Sequence, residues 1–412
     1  MLKRLLANNR VLIILDQAIF SGTSFLLTIF LARTLSVYDF GIFSGVVLGI
    51  FLFISLTSAF VLQPFQVNIG EQENKNAYIS FTFLSQSTIL CASLLFLFCF
   101  LILHPINGLG LSACFFLLFY AFHDYLRKVF LALDKAKSVV VLDLFCSAGQ
   151  ILVVLVIFTS QKSISLDALF TKFAFAYLPS IVFGVIVLKP KGLPFNLFKE
   201  FSKLHFIQGK WLFMTALVQW WSGNLFVVAS GFYLGSRALG ALRLAQSLFG
   251  VLNILLQTFE NYVLPQTSLY FAKNKGLAIA YLAKMTKYAG IVFLLFMIFI
   301  FMFSEQVMEI AGGSDFKEYA FLLKGMTILY TLIYICQPIR IGIRILHLNN
   351  YFFYGYAITL AFSILFSEYL LTHFSLYGAL FGLIISQFLL IIFWLFILSK
   401  KQFYLWKSFI SF

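Results

Sequence analysis

A chain of 412 residues with 62% hydrophobic and 11% charged residues is not a water-soluble globular protein, because ordinary domains carry about 25% charged residues. Runs of about 20 apolar residues recur along it, enough to cross a hydrocarbon core about 30 Å thick, and predict a polytopic membrane protein. The formal charge of +14 follows from loops biased to one side of a membrane and does not call for a nucleic-acid partner.

The first span, about 11–32, follows MLKRLLANNR. That leader has the charge of a signal peptide, but the apolar run is too long and lacks a small-residue cleavage site, so an uncleaved span is expected. It carries Asp16, Gln17, Ser21, Ser24 and Thr28. The stretch FLARTLSVYDFG then turns the chain. Arg33 suits the negative end of the first helix dipole and can snorkel, with cavity lining as its second reading; Asp39 suits the positive start of the next helix. The second span, about 41–62, opens with Gly41, Gly45 and Gly49, a small-residue face for close packing. Spans at about 79–103, 111–133, 139–160 and 167–188 complete the first half, with Asp143, Ser147 and Gln150 in the fifth and Lys172 in the sixth.

The connection KPKGLPFNLFKEFSKLHFIQGK, residues 189–210, is the longest and most basic. It reads either as an amphipathic helix on the leaflet or as a solvated linker. Six further spans follow at about 211–233, 241–264, 288–303, 321–345, 353–372 and 377–399. The expected organisation is all-α: about twelve transmembrane helices, in an N-terminal six-helix lobe (1–188), the cytoplasmic connection (189–210), a C-terminal six-helix lobe (211–399) and a tail (400–412), the lobes enclosing a central cavity.

The halves look like repeats. Leu35–Gly41 (LSVYDFG) and Leu234–Gly240 (LGSRALG) share a Leu and a Gly at matched positions, Pro64 matches Pro265, and Arg127–Lys137 matches Arg340–Asn350. A parallel repeat of this kind lets two halves rock about an axis along the membrane normal. Of the 29 lysines and arginines, only Arg33, Lys162, Lys172, Arg237, Arg243, Lys317 and Lys324 fall on the outer side, so both termini are expected in the cytoplasm.

Polar residues inside spans should face protein or water. In the eighth span Arg243, Gln246, Gly250, Asn253, Gln257 and Glu260 are spaced 3, 4, 3, 4 and 3 apart, one side of a helix. The tenth repeats the pattern with Lys324, Thr327, Tyr330, Tyr334, Gln337 and Arg344, and the seventh adds Thr215, Gln219 and Ser222. Such stripes either line a water-filled cavity or glue helices together. If they line a cavity, Lys172, Arg243, Lys324 and Arg344 would attract an anion, while Asp16, Asp143 and Glu260 are candidates for coupling to protons or sodium.

No GxxxxGK[ST], GxSxG or HExxH is present, and the largest outer loop, about 304–320, is short for a glycan polymerase or ligase. All five cysteines lie within predicted spans and no histidine pair has ligand spacing. No enzyme activity, metal or cofactor is expected.

The stretches FLARTLSVYDFG, GSRALGALRLAQSLFGVLNILLQTFENYVLPQTSLYF, RKVFLALDKAKS and RIGIRILHLNN resemble bacterial polysaccharide repeat-unit flippases of the multidrug, oligosaccharidyl-lipid and polysaccharide exporter superfamily. The resemblance spans the chain, through diffuse motifs. It implies alternating access in the bacterial inner membrane, with oligosaccharide on an undecaprenyl-diphosphate carrier moving to the outer leaflet for O-antigen or other surface polysaccharide. It also implies ion-gradient drive and work alongside a polymerase and chain-length machinery, amid membrane lipids. A multidrug antiporter of the same superfamily and a membrane glycan polymerase or ligase are the alternatives.

Overall fold

The computed structural model describes residues 9–103, 109–160 and 164–404. Lys3, Arg4, Lys162 and all but the start of the 400–412 tail lie outside the described residues. What is described is helical: α1 (Asn9–Thr34), α2 (Val37–Asn68), α3 (Lys75–Leu103), α4 (Leu111–Ala132), α5 (Ala136–Ser160), α6 (Leu166–Leu188) and α7 (Phe195–Leu234). They are followed by α8 (Ser236–Leu248), α9 (Gly250–Lys273), α10 (Lys275–Met302), α11 (Ser304–Gly312), α12 (Ala320–Ile345) and α13 (Asn349–Lys400).

Among the described residues nine helices are long and apolar enough to cross a bilayer, and the bent pair α8 and α9 makes a tenth. The 52-residue α13 breaks at Ser375 (φ 52°, ψ −136°), so it supplies two crossings. The 22 residues of α4 reach about 33 Å, although His123, Asp124, Arg127 and Lys128 make its second half polar. The protein is an all-α polytopic membrane protein of about twelve crossings.

The chain divides into two compact units, Met1–Phe30 with Val46–Leu217, and Leu31–Gly45 with Val218–Phe412. In the first unit, Phe65, Tyr78, Phe81, Tyr125, Phe130 and Phe201 form an aromatic core. In the second, Ile339, Ile343, Trp394, Leu398 and Phe403 belong to a mainly aliphatic core. The turn at residues 31–45 thus packs with the second unit, although it follows the first helix in sequence.

The two matched turns explain that placement. A Cβ on Gly41 would stand 1.8 Å from the Ser236 carbonyl oxygen, and one on Gly240 would stand 2.7 Å from that of Val37. Val37 and Ser236 hold equivalent places in the repeat, so each glycine admits the other turn's backbone in a reciprocal contact. Gly45 continues the face against Leu239, while Gly49 has no neighbour within 4 Å. Ser36 and Asp39 start α2 as a capping pair: the Asp39 amide donates to Ser36 Oγ at 3.0 Å, and Ser36 Oγ donates to Asp39 Oδ2 at 2.7 Å.

The structure adds three details. Of the segment 189–210, read from sequence as an amphipathic helix or a solvated linker, the residues from Phe195 on are helical. They form the start of the 40-residue α7 and pack into the first unit, with Phe201 and His205 buried. His205 Nδ1 donates to the Phe60 carbonyl at 3.2 Å, Tyr78 Oη donates to His205 Nε2 at 2.6 Å, and Asn68 and Gln208 exchange amide hydrogen bonds at 2.8 and 3.3 Å. The outer loop near 304–320 is α11 followed by a 3₁₀ turn, Ser314–Tyr319, with Met308 and Phe316 buried. Finally, the polar stripe of the eighth span does not lie on one straight helix, because α8 ends at Leu248 and α9 leaves at 44°.

Candidate functional site

The two units treat buried charge differently. In the first, Arg127 on α4 gathers carboxylates from two other helices. Its Nη2 lies 2.5 Å from Asp16 Oδ2 on α1, its Nε donates to Asp143 Oδ2 on α5 at 2.7 Å, and Gln17 Oε1 is 3.3 Å away. The ring of Phe20 lies 4.5 Å under the guanidinium. Asp16 and Asp143 are 1% and 0% exposed, so without this arginine both would be uncompensated charges in an apolar interior.

One contact in the cluster depends on a single proton. Ser180 Oγ donates to the Tyr177 carbonyl at 2.7 Å, so its oxygen accepts from His123 Nδ1 at 2.9 Å, which places a hydrogen on Nδ1. His123 Nε2 then faces Asp143 Oδ1 at 3.3 Å, and neither atom has another hydrogen-bond partner. With a proton between them the contact is a hydrogen bond; without it, two lone pairs meet. Sequence spacing placed Asp16 and Asp143 on polar faces but not His123, whose partners arrive from α5 and α6.

In the second unit Glu260 on α9 sits against two arginines one turn apart on α12, Arg344 Nη1 at 2.5 Å and Arg340 Nη1 at 3.4 Å. Arg340 also donates to Tyr356 Oη at 2.6 Å, and both guanidiniums lie over the ring of Phe352. Arg344 is therefore committed to a carboxylate. Arg243 is not. Its Nη1 donates to Gln246 Oε1 at 3.0 Å, its buried Nε has no partner, and no acidic group pairs with it among the described residues.

Gln246, which accepts from Arg243, also lines a cavity of ≈ 190 Å³, together with Tyr330, Tyr356, Thr359, Ser386 and Gln387 and the apolar Met326, Leu329, Ile333, Leu383 and Leu390. Tyr330 is its hub: Asn253 Nδ2 donates to its hydroxyl at 3.0 Å, and Phe249 stacks on its ring at 4.5 Å. Ser222 and Thr359 hydroxyls meet at 2.5 Å. Tyr334 turns elsewhere, donating to the Thr286 carbonyl and stacking on Phe293 of α10. Gln257, Lys324, Lys172 and Arg33 are exposed, and none of them has an ion-pair partner among the described residues. The cavity lining thus includes Gln246, which bonds Arg243, and Tyr330, which bonds Asn253, and adds Thr359, Ser386 and Gln387, which the stripe analysis did not single out. Thr359, Ser363 and Ser367 recur every four residues on the first half of α13, which was an available signal, whereas Ser386 and Gln387 lie beyond the break at Ser375.

No family model matches the chain, and no curated protein matches it in sequence. Solved structures do match in fold. The lipid II flippase MurJ, in an inward closed conformation, superposes with a TM-score of 0.72 at 17% identity, over 96% of this chain and 88% of that one. An inward-facing multidrug resistance MATE transporter of the MOP superfamily gives 0.67 at 12% identity, over 94% and 95%. The eukaryotic MATE transporter AtDTX14 gives 0.58 at 14% identity, over 96% and 98%. The chain therefore has the all-helical fold that MurJ and the MATE transporters share.

Proposed function

We propose that this protein is a flippase that carries an oligosaccharide on a polyprenyl-diphosphate carrier across the membrane by alternating access, for surface polysaccharide such as O-antigen. The observation carrying this reading is Arg243, a cation with no carboxylate partner among the described residues, bonded to Gln246 at the edge of a cavity that offers hydroxyl and amide groups beside aliphatic ones. A diphosphate supplies the missing anion, and sugars suit the hydroxyls and amides. The cationic drugs of a multidrug antiporter would meet repulsion there. Lys324 at the start of α12 adds an exposed cation to the same unit. Gln257 and Tyr334 complete the expected lining, and Arg344 joins only if Glu260 releases it.

We assign coupling to the carboxylates. Asp16 and Asp143 share Arg127, and the His123–Asp143 contact changes sign with one proton, so a proton gradient can drive that unit. Glu260, between two arginines, is the corresponding group in the other. The protein is assigned to the bacterial inner membrane with both termini cytoplasmic, feeding a polymerase and chain-length machinery.

Complementation of a polysaccharide-flippase deletion strain with matched repeat-unit genes tests the reading. Wild type should restore surface glycan, and Arg243→Ala at equal membrane level should not. Restoration by Arg243→Ala, or drug efflux without glycan export, overturns it.

A further inference from the structure

A second cavity, of ≈ 490 Å³ and open to the side, lies in the first unit between α2, α3 and α7. Its walls are phenylalanine, leucine, isoleucine and methionine, and its two hydroxyl groups are turned away. Thr57 Oγ1 donates to the Ile54 carbonyl at 3.2 Å and Ser93 Oγ to the Ile89 carbonyl at 2.9 Å. That leaves one charged group on the rim, the exposed Lys210, which has no ion-pair partner among the described residues.

The groove is built around an irregularity. Residues Ser58–Leu62 of α2 form a π-helical turn, a rare feature that interrupts the α ladder and is enriched at functional sites. Phe60, in its middle, lines the groove. Its carbonyl accepts from His205, its ring lies 6.5 Å from that of Phe206, and Gly209 opens room for it, since a Cβ there would come within 2.9 Å of the Phe60 ring.

The facing stripe of α7 is graded along its length. Lys199, Lys203, Phe206, Lys210, Phe213 and Met214 are spaced by three, four or one, all on one side of the helix. Lysines occupy its start and apolar side chains its end, with Lys210 at the rim between them. Glu200 lies about a quarter turn off this stripe. The order cation, cation, apolar wall is the complement of a molecule with an anionic head and a hydrocarbon chain. At ≈ 490 Å³ the cavity falls within the range of small-ligand sites.

We propose that this groove holds one anionic phospholipid, its acyl chain against Phe60, Phe213 and Met214 and its phosphate against Lys203 and Lys210. The site does not depend on the transported substrate. Bound there, the lipid would tie the first turns of α7 to α2 and α3.

The test uses the full-length protein released from nanodiscs of equimolar phosphatidylglycerol and phosphatidylcholine, with native mass spectrometry reading the lipid retained. One phosphatidylglycerol per chain is expected. Lys203→Glu with Lys210→Glu should lower its retention about tenfold or more, given the attraction of each basic residue near an anionic surface. Both lysines are exposed and neither has an ion-pair partner among the described residues, so the fold should survive, as an unchanged melting temperature would verify. Ser93→Phe, which fills the groove and leaves the lysines in place, should abolish retention. Equal retention of the two lipids, unchanged phosphatidylglycerol in both variants, or retention of polyprenyl phosphate in preference to phosphatidylglycerol would overturn the proposal.

Discussion

Arg127 and Arg243 are both arginines within apolar helices, yet their surroundings are opposite. Arg127 is held by two carboxylates, a glutamine and an aromatic face. Arg243 has one glutamine and an unsatisfied Nε. A buried donor left unpaired costs about 1 to 3 kcal/mol, and Arg243 is kept despite its unpaired Nε and the lack of a carboxylate partner among the described residues. The comparison separates a charge that holds helices together from one available to a ligand.

The largest effect expected is at Arg127. Arg127→Met leaves Asp16 and Asp143 buried without a cation, and removing one partner of such a network costs about 3 to 5 kcal/mol. The variant should be poorly recovered in membranes and melt well below wild type. Adding Asp16→Asn and Asp143→Asn should restore most of the melting temperature, because no charge is then left unpaired. If Arg127→Met alone melts like wild type, the cluster is not structural.

The reciprocal glycines come next. Gly41→Ala drives a methyl into the Ser236 carbonyl and Gly240→Ala does the same toward Val37, at about 1 to 3 kcal/mol each for overpacking. Both should be felt most in whichever conformation joins these turns. Cysteines introduced at the exposed Tyr38 and Arg237 should react faster with a membrane-impermeant thiol reagent in the Gly41→Ala background than without it. Equal rates would mean that the contact is not needed to keep the turns together.

A smaller effect is expected from Glu260→Gln. It frees Arg344 and Arg340 from their carboxylate while Tyr356 still accepts from Arg340. The second unit should then bind anions more tightly, visible as a stronger protection against heating by inorganic diphosphate than in wild type. No change in protection would mean that releasing Arg340 and Arg344 adds no anion site to that unit.

Much of this architecture was legible in the chain. The apolar runs placed the crossings, and LSVYDFG and LGSRALG marked two equivalent turns. Their mutual contact was not legible, because a repeat fixes equivalence and not adjacency. Helical spacing found Asp16, Asp143 and Glu260 but not their partners, since each arginine comes from a different helix. The step from Phe249 to Gly250 carries a glycine but no proline, and Gly250 fitted the spacing of the polar stripe so well that it did not read as the break it marks. Tyr330 and Tyr334 fit one stripe by spacing, yet one meets Phe249 of the linker before α9 and the other Phe293 of α10. A stripe is assigned by angle alone, whereas contact also depends on which neighbour each turn meets.

The most direct test of the central claim is a leaflet-accessibility assay on proteoliposomes. Purified wild type and Arg243→Ala would be compared for translocation of a polyprenyl-diphosphate-linked oligosaccharide under an imposed proton gradient. Arg243 pairs with no carboxylate, so the variant should fold and melt like wild type but lose translocation, with Arg243→Lys recovering part of it. A variant that translocates at the wild-type rate would contradict the assignment of Arg243 to the substrate's diphosphate.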